Sequence, residues 1–533
     1  MHRRLSWLAI LLLAVTTVAC ATASSRPADL VAGAVQAMGG ADALAQVKTV
    51  WMKGTVRQWE PEQSMVPGGE MRLAGDSTFE VLADVAARAT RIDWVRAFQD
   101  PAPRSFTFSE IVTPEAGYVA GIDSNLRTRQ SLDANPPAHS MSGLRLAATQ
   151  RELRRISPGL LLAMLRDRDS VTVAPEVTIG STTYPAVEYR VAGQTFTVLF
   201  DRQTSLPARV RTLDYDNIWG DVTYDVVFAD WRAVDGVRLP MRRTYELNAR
   251  TVQDVRIDEV KLNAPVAAGR LAIPPAFAVA AAKPASGALV PYQWVLRRQF
   301  IGIYLDSDQP GYDARGSQGL RLVDLAPNVQ HVVGGTHNSL LVELAGYLVV
   351  FDAPVSDAQS NWVLSAAKQR YPGKAVKYLV LTHHHMDHAG GLRAYAAQGA
   401  TLVVGKGAGE HYRRVLAAPF RRNPDMGARD LTATPIVEVA DRWAVSDGIR
   451  EVQAYPIENP HAASSLIGYV PDERLGFVTD LWSPSSAPLP AKLTPAQASV
   501  VAAVKKNGIT PLRFAGGHGG VGDYEPLEAL DGQ

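Results

Sequence analysis

The chain has 533 residues, 47% hydrophobic and 20% charged. That is a globular balance with room for two or three domains of roughly 150–200 residues, and it excludes a largely disordered chain or a polytopic membrane protein. Lys plus Arg number 54 and Asp plus Glu 53, a net charge of +1, so no global field draws the chain to nucleic acid. There is one cysteine; no disulfide can close within the chain, and a metal must be held by His and carboxylates.

Arg3 and Arg4 precede an uninterrupted run of apolar and small residues, Leu5 to Ala19. This is the pattern of a secretory signal, and it is shorter than the roughly 20 residues that span a bilayer. The lone Cys20 follows Thr17-Val18-Ala19. The segment resembles a bacterial lipobox, with Thr17 in place of the usual aliphatic residue. The resemblance implies a signal over residues 1–20, lipidation of Cys20, a membrane anchor and a periplasmic, outer-membrane address. Ala21-Thr22-Ala23 also offers ordinary cleavage before Ser24, giving a soluble exported protein.

Helical spacing runs over Ala28–Met38 and stops at Gly39-Gly40; Asp42 is placed to cap a short helix through Val47. Strand alternation then dominates, as in Val222, Tyr224, Val226 and Phe228. Phe196–Phe200, Ala208–Leu213 and Met241–Leu247 read similarly, with turns at Ala192-Gly193-Gln194 and Asp235-Gly236. A helical stretch between Ser142 and Leu165 is expected to split at Ser157-Pro158, with Ser157 capping its second half. Residues 28–277 therefore form a mostly antiparallel β-domain with helices.

The Met38-Gly39-Gly40-Ala41 entry, the Asp235-Gly236-Val237-Arg238-Leu239-Pro240 turn and Leu262-Asn263-Ala264-Pro265 give this domain its character. In these it resembles the half-barrel of periplasmic lipoprotein carriers. That resemblance implies an apolar concavity able to hold acyl chains; a purely structural or dimerising role is the alternative.

Residues 278–317 read as a linker and an unassigned segment, followed by a second domain over 318–533. There Leu348–Phe351 is a strand ending at Asp352, Tyr378–Leu381 a strand ending in Thr382-His383-His384-His385-Met386-Asp387-His388, Ala389–Gln398 a helix and Thr401–Val404 a strand. Such alternation is α/β, with the site expected at strand C-terminal ends. Four His and one Asp stand within His383–His388, good ligands for zinc and similar ions. His383 and His385 can chelate one ion; Asp387 and His388, at the turn into the helix, can face a second. Further ligands are available at His461, Asp480 and His518, the last in Gly516-Gly517-His518-Gly519-Gly520.

The H-x-H-x-D-H segment, with Asp352 before it and His461, Asp480 and His518 after it, resembles the metallo-β-lactamase-fold hydrolase superfamily. The resemblance implies an αββα sandwich. It also implies two ions, zinc first, with iron or manganese as alternatives. His383, His385 and His461 would hold the first ion, Asp387, His388 and His518 the second, and Asp480 would bridge them. Asp352 would orient a ligand histidine, and Asp387 would also serve as the catalytic proton acceptor. His384 falls on the variable position and should point away. His337, in Gly334-Gly335-Thr336-His337-Asn338-Ser339, is a candidate pocket residue.

The implied activity is that of an exported dinuclear zinc hydrolase using a metal-bridging hydroxide. Metallo-β-lactamases proper usually carry Cys or Ser where Asp480 stands, so an ester, thioester or lactone substrate is favoured. Phosphate or sulfate esters and β-lactams are the alternatives. The partner is a small molecule, lipophilic if the first domain presents it, and not nucleic acid. The rival of another class is a periplasmic carrier of apolar ligands with a non-catalytic metal site.

Overall fold

The computed structural model describes residues 26–61, 63–99, 103–123, 136–279, 319–335, 337–422, 429–486 and 488–531. The secretory segment with Cys20, and residues 280–317 of the expected linker, lie outside them.

The first half opens with helices α1 (Pro27–Ala37) and α2 (Ala41–Ala45) and strands β1 (Thr49–Glu60), β2 (Arg72–Asp84), β3 (Ala89–Phe98), β4 (Arg104–Val112), β5 (Gly117–Gly121) and β6 (Ala138–Ser140). Helices α3 (Gly143–Arg155) and α4 (Leu160–Arg166) follow. Strands β7 (Val171–Ile179), β8 (Thr182–Val191), β9 (Gln194–Phe200), β10 (Pro207–Asp216), β11 (Gly220–Val234), β12 (Val237–Leu247) and β13 (Arg250–Leu262) complete it. All thirteen strands join one antiparallel sheet, in which β1 pairs with β13 and the order runs outward to β6 on one side and β7 on the other.

Alternation decides which face is buried: Val237, Leu239, Met241, Tyr245 and Leu247 of β12 point into the core while their neighbours do not. Against that face pack Val31, Ala34 and Val35 of α1 and Leu160, Leu161 and Met164 of α4. Asp235 and Gly236 both have positive φ, 47° and 83°, as a tight hairpin turn requires. A Cβ on Gly39 would meet the Gly236 carbonyl oxygen at 2.2 Å; only glycine lets the end of α1 lie on that turn. Lined by Met38, Ile156, Leu161, Val198, Phe228 and Trp231, an apolar hollow on this face holds about 40 Å³ of free space. Small-molecule pockets hold roughly 300–1,000 Å³.

Two helix starts differ from expectation. α3 is capped by Ser142, whose side chain accepts from the Arg145 N–H. α4 begins only at Leu160, because the Ser157 hydroxyl accepts from the Gly159 N–H inside the preceding turn and does not cap the helix. Asp42 likewise lies within the first turn of α2 and makes no side-chain cap.

The second half contains β14 (Arg321–Ala326), β15 (Val329–Val333), β16 (Ser339–Glu343), β17 (Leu348–Phe351), α5 (Asp357–Arg370), β18 (Val376–Val380), α6 (Met386–Ala389), α7 (Leu392–Ala396), β19 (Thr401–Gly405), α8 (Gly409–Ala417) and β20 (Ile436–Val439). β21 (Trp443–Ser446), β22 (Glu451–Ile457), β23 (Ser465–Val470), β24 (Leu475–Val478), α9 (Pro495–Asn507), β25 (Arg513–Gly516), β26 (Val521–Asp523) and α10 (Glu525–Glu528) follow. β14–β20 form a mixed seven-stranded sheet and β21–β26 a mixed six-stranded one. Their inner faces share one core, with Phe351, Val380 and Val403 against Ala454, Leu466 and Phe477. Helices α5, α7 and α8 cover the outer face of the first sheet and α9 that of the second. The layers run helix, sheet, sheet, helix.

The single helix expected over Ala389–Gln398 is not continuous: α6 ends at Ala389 and α7 covers only Leu392–Ala396. A Cβ on Gly390 would meet the Val355 oxygen at 2.3 Å, and one on Gly391 the Ser360 hydroxyl at 2.1 Å. The chain breaks there to pass close to the start of α5.

The halves share core. Tyr215, near the end of β10, and Ile218, in the β10–β11 turn, belong to the same apolar cluster as Leu381, Met386 and Tyr412. Buried Arg393 donates to the Asn217, Ile218 and Val415 carbonyls, and Asn217 donates to the Val355 carbonyl.

Candidate metal centre

The C-terminal ends of β17, β18, β24 and β25 meet at one edge of the sandwich and deliver Asp352, the His383–His388 segment, Asp480 and His518; the turn before β23 delivers His461. Ligand atoms fall into two groups, each mutually within 4.8 Å: His383, His385, His461 and Asp480, and His337, Asp387, His388 and His518. His337 thus sits among candidate ligands and not merely at a pocket wall. His384 is in neither group; its Nε2 faces Ser64.

Asp480 stands between the groups. Its Oδ2 lies 3.1 Å from His383 Nε2, 3.0 Å from His388 Nε2 and 3.2 Å from His461 Nε2, and its Oδ1 lies 2.7 Å from His518 Nε2. Asp387 Oδ2 lies 3.2 Å from His337 Nε2. His461 and His518 are 23% and 26% exposed, so the cluster opens to solvent on their side, while His383, His385 and His388 form its buried floor.

The donor set fits divalent cations. His385 Nδ1, His388 Nε2, His518 Nε2 and Asp480 Oδ2 are buried without a hydrogen-bond partner, although the last three stand at ion-pair distance. Buried nitrogen and oxygen atoms left without hydrogen bonds are a costly arrangement, and one that a bound cation satisfies. All donors are N or O, which suits zinc and also iron or manganese.

Surroundings set the protonation. Burial, with His388 alongside, pushes the His383 imidazole down to about 3. Burial, with His383 and His461, holds His385 well below the usual range. Burial and His518 lower His337 to about 4. Burial works against ionisation of Asp387 but is outweighed by the His337 hydrogen bond and by His388; for Asp480 it is outweighed by His388, His518 and His461. Both carboxyls end well below the ordinary value. Burial would lower His388, but Asp480 and the Asp352 hydrogen bond hold it well above. To act as a ligand, His388 must give up its Nε2 proton while keeping Nδ1–H.

Neighbouring groups aim these side chains. Asp352 accepts from His388 Nδ1 at 2.8 Å, from the Thr382 N–H at 2.7 Å and from the Thr382 hydroxyl at 2.9 Å. It has φ +62°, and Val355 just after it φ +65°, strained for any residue with a Cβ and more so for valine. The strap is pinned by Ala353 N–H to His388 O and Val355 N–H to Met386 O. Asn338 was missed by sequence reasoning. Its amide donates to the Gly516 and Gly519 carbonyls, and its N–H to Gly517 O, clasping the loop that carries His518. A Cβ on Gly517 would meet Thr479 Cγ2 at 2.3 Å, so glycine is needed where that loop crosses β24. His331 donates beneath the same loop to Gly516 O. Gln63 and Ser64 were missed as well; nothing in their local pattern marks them, since their partners are more than 300 positions away.

Residues 332–511 match the family model described as the metallo-beta-lactamase superfamily. No curated protein matches the chain. Among solved structures, the chain is similar to a metallo-beta-lactamase from Pontibacter korlensis, at 20% identity over 40% of this chain and 100% of that one, TM-score 0.31. It is similar to the metallo-beta-lactamase FIM-1 from Pseudomonas aeruginosa, in its mono-zinc form, at 17% identity over 40% of this chain and 92% of that one, TM-score 0.30. It is also similar to the inverting sec-alkylsulfatase Pisa1 from Pseudomonas sp., at 17% identity over 45% of this chain and 42% of that one, TM-score 0.31.

Proposed function

With residues 332–511 placed in the metallo-β-lactamase superfamily, we propose that the chain is an exported, dinuclear, metal-dependent hydrolase of esters, thioesters or lactones. The observation that carries this reading is the pair of four-residue ligand groups meeting at Asp480. His383, His385, His461 and Asp480 would hold one ion, and Asp387, His388 and His518, with His337 beside them, the other. Bound divalent ions supply Lewis acidity, bringing water toward ionisation near neutral pH and drawing off charge that develops on the attacked group.

The chain's own residues do the rest. Asp480, ionised and shared, sets the spacing of the two groups. Asp387, ionised and 21% exposed on the open side, is placed to accept a proton from the attacking water. His337, neutral at working pH, holds Asp387 Oδ2 in place. Asp352 keeps a proton on His388 Nδ1 so that Nε2 faces inward. Solvent reaches the cluster past His461 and His518, which gives the substrate its entrance. Asp480 is also the reason to favour carboxylic esters over β-lactams, since Cys or Ser is usual there in the β-lactamases proper.

Metal analysis of protein purified without chelator should return about two transition-metal ions per chain, zinc first. Turnover should appear on nitrophenyl esters, thioesters or lactones in a panel that also holds bis-phosphodiesters, a sulfate ester and a chromogenic cephalosporin. A folded protein free of every transition metal would refute the reading. For the address, Cys20→Ser should release the protein from the membrane fraction or leave its precursor unprocessed; unchanged fractionation with a mature chain starting at Ser24 would mean simple secretion.

A further inference from the structure

The connection between β1 and β2 does not stay with its own sheet. It crosses to the other half and lies against the ligand cluster. Gln63 Nε2 donates to Asp387 Oδ1 at 2.9 Å. The Ser64 carbonyl, 4% exposed as a residue, accepts from His385 Nε2 at 2.8 Å and from His384 Nε2 at 3.0 Å. The Met65 carbonyl accepts the Ala463 N–H at 2.7 Å, and the Arg72 guanidinium donates to the carbonyl of His461. The connection is itself braced: the Ser64 hydroxyl donates to Val66 O, and Arg250 donates to Gly69 O at 2.6 Å.

Two of these contacts have a definite chemical sense. A carbonyl oxygen only accepts, so the ring nitrogen facing Ser64 must carry the proton. His385 is thereby fixed with hydrogen on Nε2 and a lone pair on Nδ1, an atom that is buried without a hydrogen-bond partner. An amide N–H donates and a carboxylate oxygen accepts, so Gln63 presents its Nε2 to Asp387 Oδ1. That bond engages Oδ1 and leaves Oδ2 toward His337. One contact acts on a member of the first ligand group and the other on a member of the second.

We infer that the Gln63–Ser64 segment of the N-terminal sheet is a positioning element of the metal centre, selecting the Nδ1 lone pair of His385 and orienting the Asp387 carboxylate. The first half of the chain is then part of the hydrolytic unit and not a separate carrier appended to it. Outer partners of metal ligands are typically worth about 10–100-fold in metal affinity, and here two of them come from the other domain. The inference rests on the proposed metal-dependent reading.

The test uses the full-length protein and Gln63→Met, which keeps the side chain's length and removes its donor. Competition with a chromogenic chelator should show the more weakly held ion about 10–100-fold weaker in Gln63→Met and the tighter ion unchanged, with metal-free melting close to that of the parent. In the zinc-loaded parent, long-range ¹H–¹⁵N spectra of labelled histidine should show His385 protonated at Nε2 and liganded through Nδ1. Parent-like affinity for both ions in Gln63→Met, or His385 liganded through Nε2, would overturn the positioning role and leave the hydrolase reading standing. A parent chain that binds no ion would overturn both.

Discussion

Asp352 accepts the Nδ1–H of His388 at 2.8 Å, and neither side chain has any exposed surface. The same carboxylate takes two bonds from Thr382, so each of its oxygens has an assigned donor and the ring beyond it cannot turn. Asp352→Asn leaves one acceptor oxygen and places an NH₂ group against either a backbone N–H or the imidazole N–H. Affinity for the ion proposed at Asp387, His388 and His518 should fall about 10–100-fold, and thermal stability should fall by about 1–3 kcal/mol for the orphaned donor. Chelator competition and melting of the same sample read both.

Asp387 and Asp480 are both candidate ligands, but their losses should differ. Asp387→Asn removes a charge and, on the proposed reading, the proton acceptor on the open side; general acid–base contributions of about 10²–10⁴-fold set the expected fall in kcat. Asp480→Asn keeps one carbonyl oxygen near His383, His388 and His461, so about one ion should remain firmly bound by His383, His385 and His461, with residual turnover. Steady-state rates and metal stoichiometry on both variants check this. Unaltered turnover in Asp387→Asn would show that His383–His388 is not the catalytic segment.

Arg393 joins the halves. Its buried guanidinium serves three carbonyls and stacks on Phe420 with its carbon 4.3 Å from the ring centre. Arg393→Met removes the donors that hold the β10–β11 turn in the second domain's core and leaves buried carbonyls unserved. A cost of about 3 kcal/mol or more is expected, read from the denaturant midpoint.

Asp447 gives a pH signature remote from the metal centre. Its carboxylate accepts the N–H groups of Arg450, Ala345 and Ile449, which hold it down at about 2 against an ordinary 3.8. A carboxyl lowered by folding contributes fully above about pH 4 and loses its contribution as pH falls toward 2. Asp447→Asn should therefore show a shallower loss of melting temperature over that interval than the parent, with the two curves parallel above it.

Much of the site is written in short, local patterns. The His383–His388 segment announces metal ligation because four imidazoles and a carboxylate in six positions have few other uses, and a strand ending in them places them at a sheet edge. Asp352, Asp480 and His518 were legible for the same reason, each at the end of an apolar strand or in a glycine run. His337 was legible only as a candidate pocket residue, since nothing local sets its distance from Asp387. The division of 142–166 into two helices was legible, but not its caps: Ser142 and Ser157 are equally good cap residues, and the turn geometry chose between them.

The sequence by itself determined the alternation that buries one face of the first sheet, the α/β character of the second half and the residues able to hold metal, because strand period and ligand chemistry are properties of neighbours in the chain. Only the tertiary structure decided that α6 and α7 break at Gly390-Gly391, that Asn338 clasps the His518 loop, and that Gln63 and Ser64 reach across 324 and 321 positions to Asp387 and His385. Such contacts leave no periodic trace, since a single amide or carbonyl in a loop carries no signal until folding has chosen what it faces.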